Sequence, residues 1–181
     1  MIDAGDASVT DAADQPSPRD ADDAVDASDN AVACPVGTED LSNVATGDFR
    51  VSFHVVTTQT GWVALINQRS VCSYGTFWDI RLQAVGRLWV ELDNNTAGGY
   101  ESVESTDAIN DGQPHEVVVG RVAGRLSIHI DGAAAGQAGS PLSLGTLPAL
   151  QVGDDICITT VKSPVTVMFS GTLTDICITR R

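Results

Sequence analysis

Residues 116–132 read EVVVGRVAGRLSIHIDG. Two strand-like runs, Glu116 to Arg121 and Arg125 to Ile130, are joined by Val122-Ala123-Gly124 and closed by Asp131-Gly132. A short Gly-containing link between such runs marks a tight hairpin, and Asp-Gly is a strong turn dipeptide. The stretch therefore predicts two antiparallel strands joined in a hairpin.

The same grammar extends in both directions. Upstream, Leu88, Val90 and Leu92 alternate with Arg87, Trp89 and Glu91, and Ala84-Val85-Gly86 links this run back to Phe77–Leu82. Phe49, Val51, Phe53 and Val55 alternate with Arg50, Ser52 and His54, the period-two pattern of a half-buried strand. In Gly61–Arg69, the alternation predicts Trp62, Ala64 and Ile66 on one side and Val63 and Leu65 on the other. Downstream, Ala149–Gly153, Ile156–Thr160, Val165–Phe169 and Leu173–Thr179 complete the series. The Ala-rich stretch Asp131–Gly139 holds interior glycines and no apolar stripe, which makes it a poor helix. No segment carries a helical apolar period. Many short strands with regular turn signals predict an all-β fold, a jelly-roll β-sandwich of two antiparallel sheets sharing one core.

Composition divides the chain in two. Residues 1–33 contain nine Asp, one Arg and no aromatic residue, so they contribute −8 of the net −14. Such a segment cannot bury enough apolar surface to offset the entropy of ordering it, and it reads as a disordered acidic leader or linker. Residues 34–181 form the predicted domain. No basic face is available for nucleic acid, and no apolar window is long enough for a transmembrane helix.

The four cysteines, Cys34, Cys72, Cys157 and Cys177, all lie in the domain, without a C-x-x-C pair or histidines at zinc-ligand spacing. Two disulfides and an extracytoplasmic location, secreted or cell-surface anchored, are expected. No export signal follows Met1. Its removal, a longer precursor, or no export at all would each account for that. Four cysteines allow three connectivities. The strings at 155–159 and 175–179 are both DICIT, and if those strands are neighbours their cysteines can be bridged. The expectation is Cys157–Cys177 and, by elimination, Cys34–Cys72.

Four short strings in order carry a family likeness. Asn110-Asp111-Gly112-Gln113-Pro114-His115-Glu116-Val117 resembles the D-G-x-W-H-x-V strand entry of laminin G domains, with Pro114 where that family usually has Trp. Leu126-Ser127-Ile128-His129-Ile130-Asp131-Gly132 is similar to its L-x-L-x-V-D-G, Leu150-Gln151-Val152-Gly153 to its L-x-I-G, and Phe169–Ile178 to its closing F-x-G-x-I-D-x-V-x-I. The resemblance spans residues 47–181. It implies a laminin G-like member of the concanavalin A-like lectin and glucanase superfamily. It also implies a recognition module for a glycan or a cell-surface protein, the alternative being a structural spacer.

Catalysis is not expected. His115 stands where the resembled motif has a structural strand residue, and His54 and His129 also read as strand residues. A glycosidase needs two carboxylates about 5–9.5 Å apart. The E-x-D-x-x-E string of related glucanases is absent, and its nearest approach, Glu101-Ser102-Val103-Glu104, puts its acids on opposite faces of a strand. Calcium, which needs 6–8 oxygen ligands, is a candidate ion. Asp93 with Asn95, and Asp154 with Asp155, are its candidate ligands, although each pair fits a metal-free turn equally well. The candidate ligand surface is the Arg87–Glu91 face, with Trp89, Arg87, Glu91 and Tyr100, joined by Arg81. Trp62 and Trp78 are expected in the core.

Overall fold

The computed structural model describes Cys34, residues 38–154 and residues 168–181. The predicted leader, Asp155, Cys157 and the run at 156–160 lie outside the described residues, as does most of the run at 165–169.

Ten strands are described: β1 (Phe49–Val56), β2 (Val63–Gln68), β3 (Thr76–Leu82), β4 (Arg87–Asn94), β5 (Tyr100–Ala108), β6 (His115–Val122), β7 (Arg125–Ile130), β8 (Ala133–Gly139), β9 (Gln151–Val152) and β10 (Thr172–Arg180). They form two five-stranded antiparallel sheets, ordered β10-β1-β6-β7-β8 and β5-β4-β3-β2-β9. Phe49, Val51, Phe53 and Val55 of β1, with Val117, Val119, Leu126 and Ile128, cover one side of the core. Trp78, Ile80, Leu82, Leu88, Val90 and Leu92 cover the other. These are the apolar halves of the alternations read in the sequence.

The hairpins form where local chemistry specifies them. Ala123 and Gly124 take φ of 49° and 75° between the paired residues Val122 and Arg125. Asp131 and Gly132 take 52° and 79° between Ile130 and Ala133. Two successive positive φ values are the hallmark of the type I′ turn, whose twist matches that of the flanking strands. The Ala-rich stretch after the second turn is edge strand β8. Gly136 lets it approach β5, because a Cβ there would lie 2.6 Å from the Glu104 carbonyl oxygen.

Two expectations about β2 are corrected. A register shift between Ala64 and Ile66 interrupts the alternation, so Val63, Leu65 and Ile66 all join the core. Trp62 precedes the strand and is 39 % exposed, outside the core, whereas Trp78 is buried in it as expected.

The expected disulfide connectivity is also corrected: Cys34 is bonded to Cys177, with the Cα atoms 5.6 Å apart. The incoming chain runs along the open edge of β10, where the Glu39 N–H donates to the Ile178 carbonyl at 2.8 Å. The Arg180 N–H donates to Glu39 Oε2 at 2.8 Å, and the Arg180 guanidinium holds the carbonyls of Asp40 and Ser42. Cys72 is also disulfide-bonded, to a partner outside the described residues.

Arg121 fixes the loops at one end. Its guanidinium, within a residue that is wholly buried, donates to the carbonyls of Ala45 (2.8 Å), Gly47 (2.6 Å) and Leu142 (2.6 Å).

Candidate functional site

Because alternate residues of β3 and β4 enter the core, the others are forced onto the opposite, outer face of the second sheet. These are Phe77, Asp79 and Arg81 on β3, and Arg87, Trp89, Glu91 and Asp93 on β4. The hairpin register then puts Asp79 opposite Glu91, Arg81 opposite Trp89 and Phe77 opposite Asp93. Tyr100 of β5 pairs with Asp93.

The polar residues on this face form a nearly closed network. Arg69, just past β2, donates through Nη1 to Asp79 Oδ2 at 3.0 Å and to Glu91 Oε1 at 2.8 Å. Its Nε donates to the Val71 carbonyl at 2.8 Å, and its guanidinium lies 3.8 Å from the centroid of the Phe77 ring. Arg81 adds a bond to Asp79 Oδ2 at 3.1 Å. The Tyr100 hydroxyl donates to Glu91 Oε2 at 2.8 Å. Charges taken out of water must be matched in this way, since unpaired they cost several kcal/mol each.

Asp79 has no solvent exposure, and its second oxygen, Oδ1, has no hydrogen-bond partner. Burial pushes its pKa up to about 6. Arg81 and Arg69 oppose that rise, and the Glu91 charge adds to it. The Tyr100 hydroxyl is pushed up to about 12, first by burial and then by its bond to the Glu91 carboxylate.

Above this floor lies a pocket of about 250 Å³, lined by Arg69, Tyr74, Phe77, Glu91, Asp93 and Tyr100, with Cys72 and Ser73 at the turn. Tyr74 is 83 % exposed and Tyr100 44 % exposed, so ring surface flanks the opening.

The sequence-derived residues meet this geometry unevenly. Glu91 and Tyr100 line the pocket. Trp89 lies on the same face beside it, with Trp62 packed edge-on against it at a centroid distance of 6.1 Å. Arg87 lies at the far end of β4, paired with Glu104 at 3.3 Å. Arg69, Tyr74, Phe77 and Asp79 are absent from the sequence-derived set. The Ala84-Val85-Gly86 link carried the signal for Asp79, because once that hairpin is registered Asp79 must face Glu91. A search for acids along one strand passes over a pair formed across two.

The calcium candidates are not brought together. Asp93 Oδ1 accepts the Asn95 backbone N–H at 2.7 Å, with Asn95 at φ 60°. Asp154 follows β9, and its carbonyl accepts from Asn67 Nδ2 at 2.9 Å. In the sheet order, β4 and β9 are separated by β3 and β2, a gap of three strand spacings of about 4.8 Å each. Among the described residues, no three His, Cys, Asp or Glu side chains group to hold a metal.

Solved structures supply the fold comparison. Domains LG4-5 of the mouse laminin α1 chain match with a TM-score of 0.59 at 16 % identity, over 75 % of this chain and 36 % of that one. The LG1-3 region of the laminin α2 chain matches with a TM-score of 0.55 at 19 % identity, over 74 % and 27 %. This domain has the laminin G-like fold. It spans about a third of the laminin fragments it matches. The laminin G-like sandwich is shared with a carbohydrate-binding module, the CBM40 of a Ruminococcus gnavus IT-sialidase solved with α2,3 sialyllactose. That module matches with a TM-score of 0.52 at 11 % identity, over 62 % of this chain and 66 % of that one. No protein-family model matches the chain, and no curated protein matches it in sequence. Among the described residues, no helix is long and apolar enough to cross a membrane.

Proposed function

We propose that the laminin G-like domain is a non-catalytic carbohydrate-binding module that works outside the cytoplasm, with the pocket between Tyr74 and Tyr100 as its binding site. The observation that carries this reading is the pairing of exposed rings with a fixed polar floor. Tyr74 and Tyr100 present ring surface at the mouth of the pocket. Aromatic rings with a polar edge suit ligands that are apolar on one face and hydroxylated on the other, as sugars are. Glu91 and Arg69 are held by bonds on several sides, so the floor needs little ordering when a ligand arrives. The CBM40 neighbour, solved with sialyllactose, supports the reading at the level of fold. The Cys34–Cys177 bond supports an oxidising location.

A glycosidase reading has one observation behind it, the facing carboxylates of Asp79 and Glu91. Two acids that flank a scissile bond must both reach the sugar. Asp79 reaches no solvent, and both acids are bonded to Arg69, so binding remains the stronger reading. Protein adhesion is the other alternative, supported by the exposure of Trp62 and Val71.

The test is binding of the full chain to a glycan array, repeated with Tyr74→Ala. Because Tyr74 is exposed, the variant should keep its melting temperature while its glycan affinity falls roughly tenfold, in line with loss of an aromatic anchor. Undiminished binding would move the site elsewhere, and a blank array would remove the glycan reading.

A further inference from the structure

Resting on the glycan reading above, we infer that this pocket selects uncharged glycans and rejects those bearing sialic acid, uronic acid or sulfate. The arginine that lines it is already committed. A guanidinium recognises a carboxylate or sulfate by offering two parallel N–H groups from one edge, and it has five N–H groups in all. Arg69 uses Nε on the Val71 carbonyl at 2.8 Å and both N–H groups of Nη1 on Asp79 and Glu91 at 3.0 and 2.8 Å. Its Nη2 lies 3.5 Å from the Cys72 carbonyl. One face of the guanidinium plane lies against the Phe77 ring. The hydrogen bonds account for four of the five N–H groups, and the one left on Nη2 is too few for the paired contact that an anion needs.

The surrounding charge points the same way. Among the described residues that line the pocket, Arg69 is accompanied by two acids, Glu91 and Asp93, so acidic side chains outnumber basic ones there. The other arginines of this face are paired with acids as well, Arg81 with Asp79 and Arg87 with Glu104. The chain as a whole carries −14, and a field of that sign slows the approach of anionic ligands and weakens their binding. Tyr74 and Tyr100, by contrast, contribute stacking surface that is indifferent to ligand charge.

The experiment is an array of the full chain on matched pairs, each neutral oligosaccharide printed beside its sialylated, uronic-acid or sulfated counterpart. Calorimetry on the best pair follows, for the natural chain and for Glu91→Gln. Neutral members bound at least tenfold more tightly than their anionic partners support the inference. Tighter binding of the anionic partners overturns it while leaving the glycan reading in place, and silence on both members removes the two together. Glu91→Gln keeps the side-chain shape but releases Arg69 from one carboxylate. It should raise the anionic-to-neutral affinity ratio roughly tenfold, and Asp93→Asn should shift it in the same direction. An unchanged ratio in both variants overturns the inference.

Discussion

Asp79 stands directly across the sheet from Glu91, and the two carboxylates share a single nitrogen of Arg69. Two buried like charges are tolerable side by side only with that cation between them. Arg69→Met therefore leaves them facing each other, with Arg81 still on Asp79 and the Tyr100 hydroxyl still on Glu91, which is expected to cost about 3–5 kcal/mol, the penalty of breaking a buried pair. Urea unfolding measures it. A loss below 1 kcal/mol would mean that the network is not an essential support of the second sheet.

The raised pKa of Asp79 gives a signed prediction. The folded state holds this proton more tightly than the unfolded chain does. Stability from this group therefore falls as pH rises from its ordinary value of 3.8 to about 6 and is level above that. Asp79→Asn cannot titrate and should remove this component of the slope. Denaturation curves of both proteins across that window test it, and parallel slopes would exclude Asp79 as the source.

His115, which is partly buried, shifts in the opposite sense from a histidine perturbed by burial alone. Its Nδ1 lies 2.8 Å from Asp131 Oδ2 and its Nε2 3.1 Å from Asp111 Oδ1. Both nitrogens donate only when the ring is protonated. Burial alone would lower its pKa, but the bonds to Asp131 and Asp111 outweigh that and raise it. The clamp's stabilisation is thus complete below the unfolded histidine pKa and is lost as pH rises through the higher folded value. His115→Gln should be less stable than the natural chain at acidic pH, with the gap closing toward neutral. A gap independent of pH would assign His115 a packing role only.

The Cys34–Cys177 bond spans a sequence separation of 143 residues. In the loop-entropy account, closing so long a loop contributes roughly 5 kcal/mol, although strain and residual structure often reduce the measured value. The paired Cys34→Ala and Cys177→Ala variant should lose several kcal/mol and release the segment at Glu39 and Asp40 from β10. Non-reducing peptide mapping should recover Cys34 joined to Cys177, and recovery of Cys157 joined to Cys177 would overturn the connectivity.

Calcium is tested by melting temperature. Asp93 and Asp154 lie three strand spacings apart, so they should not act as one site, and Asp154→Asn should leave any calcium response untouched. A rise in melting temperature abolished by Asp93→Asn alone would assign the ion to the Asp93–Asn95 turn. A rise abolished by either variant would contradict the separation.

What could be read from the sequence was mostly local. The turns at Ala123-Gly124 and Asp131-Gly132 were legible because their residues carry the conformational requirement themselves. The faces of β1 and β4 were legible because alternation is a property of one strand, and this placed Trp89 and Glu91 together on the outer face. Strand β8 was not legible, since Ala and Gly carry no pattern and its identity comes from pairing with β7. The β2 register shift hid Ile66, and the pairing of Cys34 with Cys177 depends on chain-distant strands meeting. Tyr74 sits in an irregular turn without periodicity to reveal it. The site was therefore half visible, on the strand that alternates and not on the turn that covers it.

The sulfur link at the edge of β10 also determines how the domain bears force. Tension applied to the chain ahead of Cys34 and behind Cys177 passes through one covalent bond and bypasses the strands in between. The sheet that carries the pocket lies between the two cysteines and stays unloaded until that bond is reduced, so under oxidising conditions a stretched chain keeps its binding face intact.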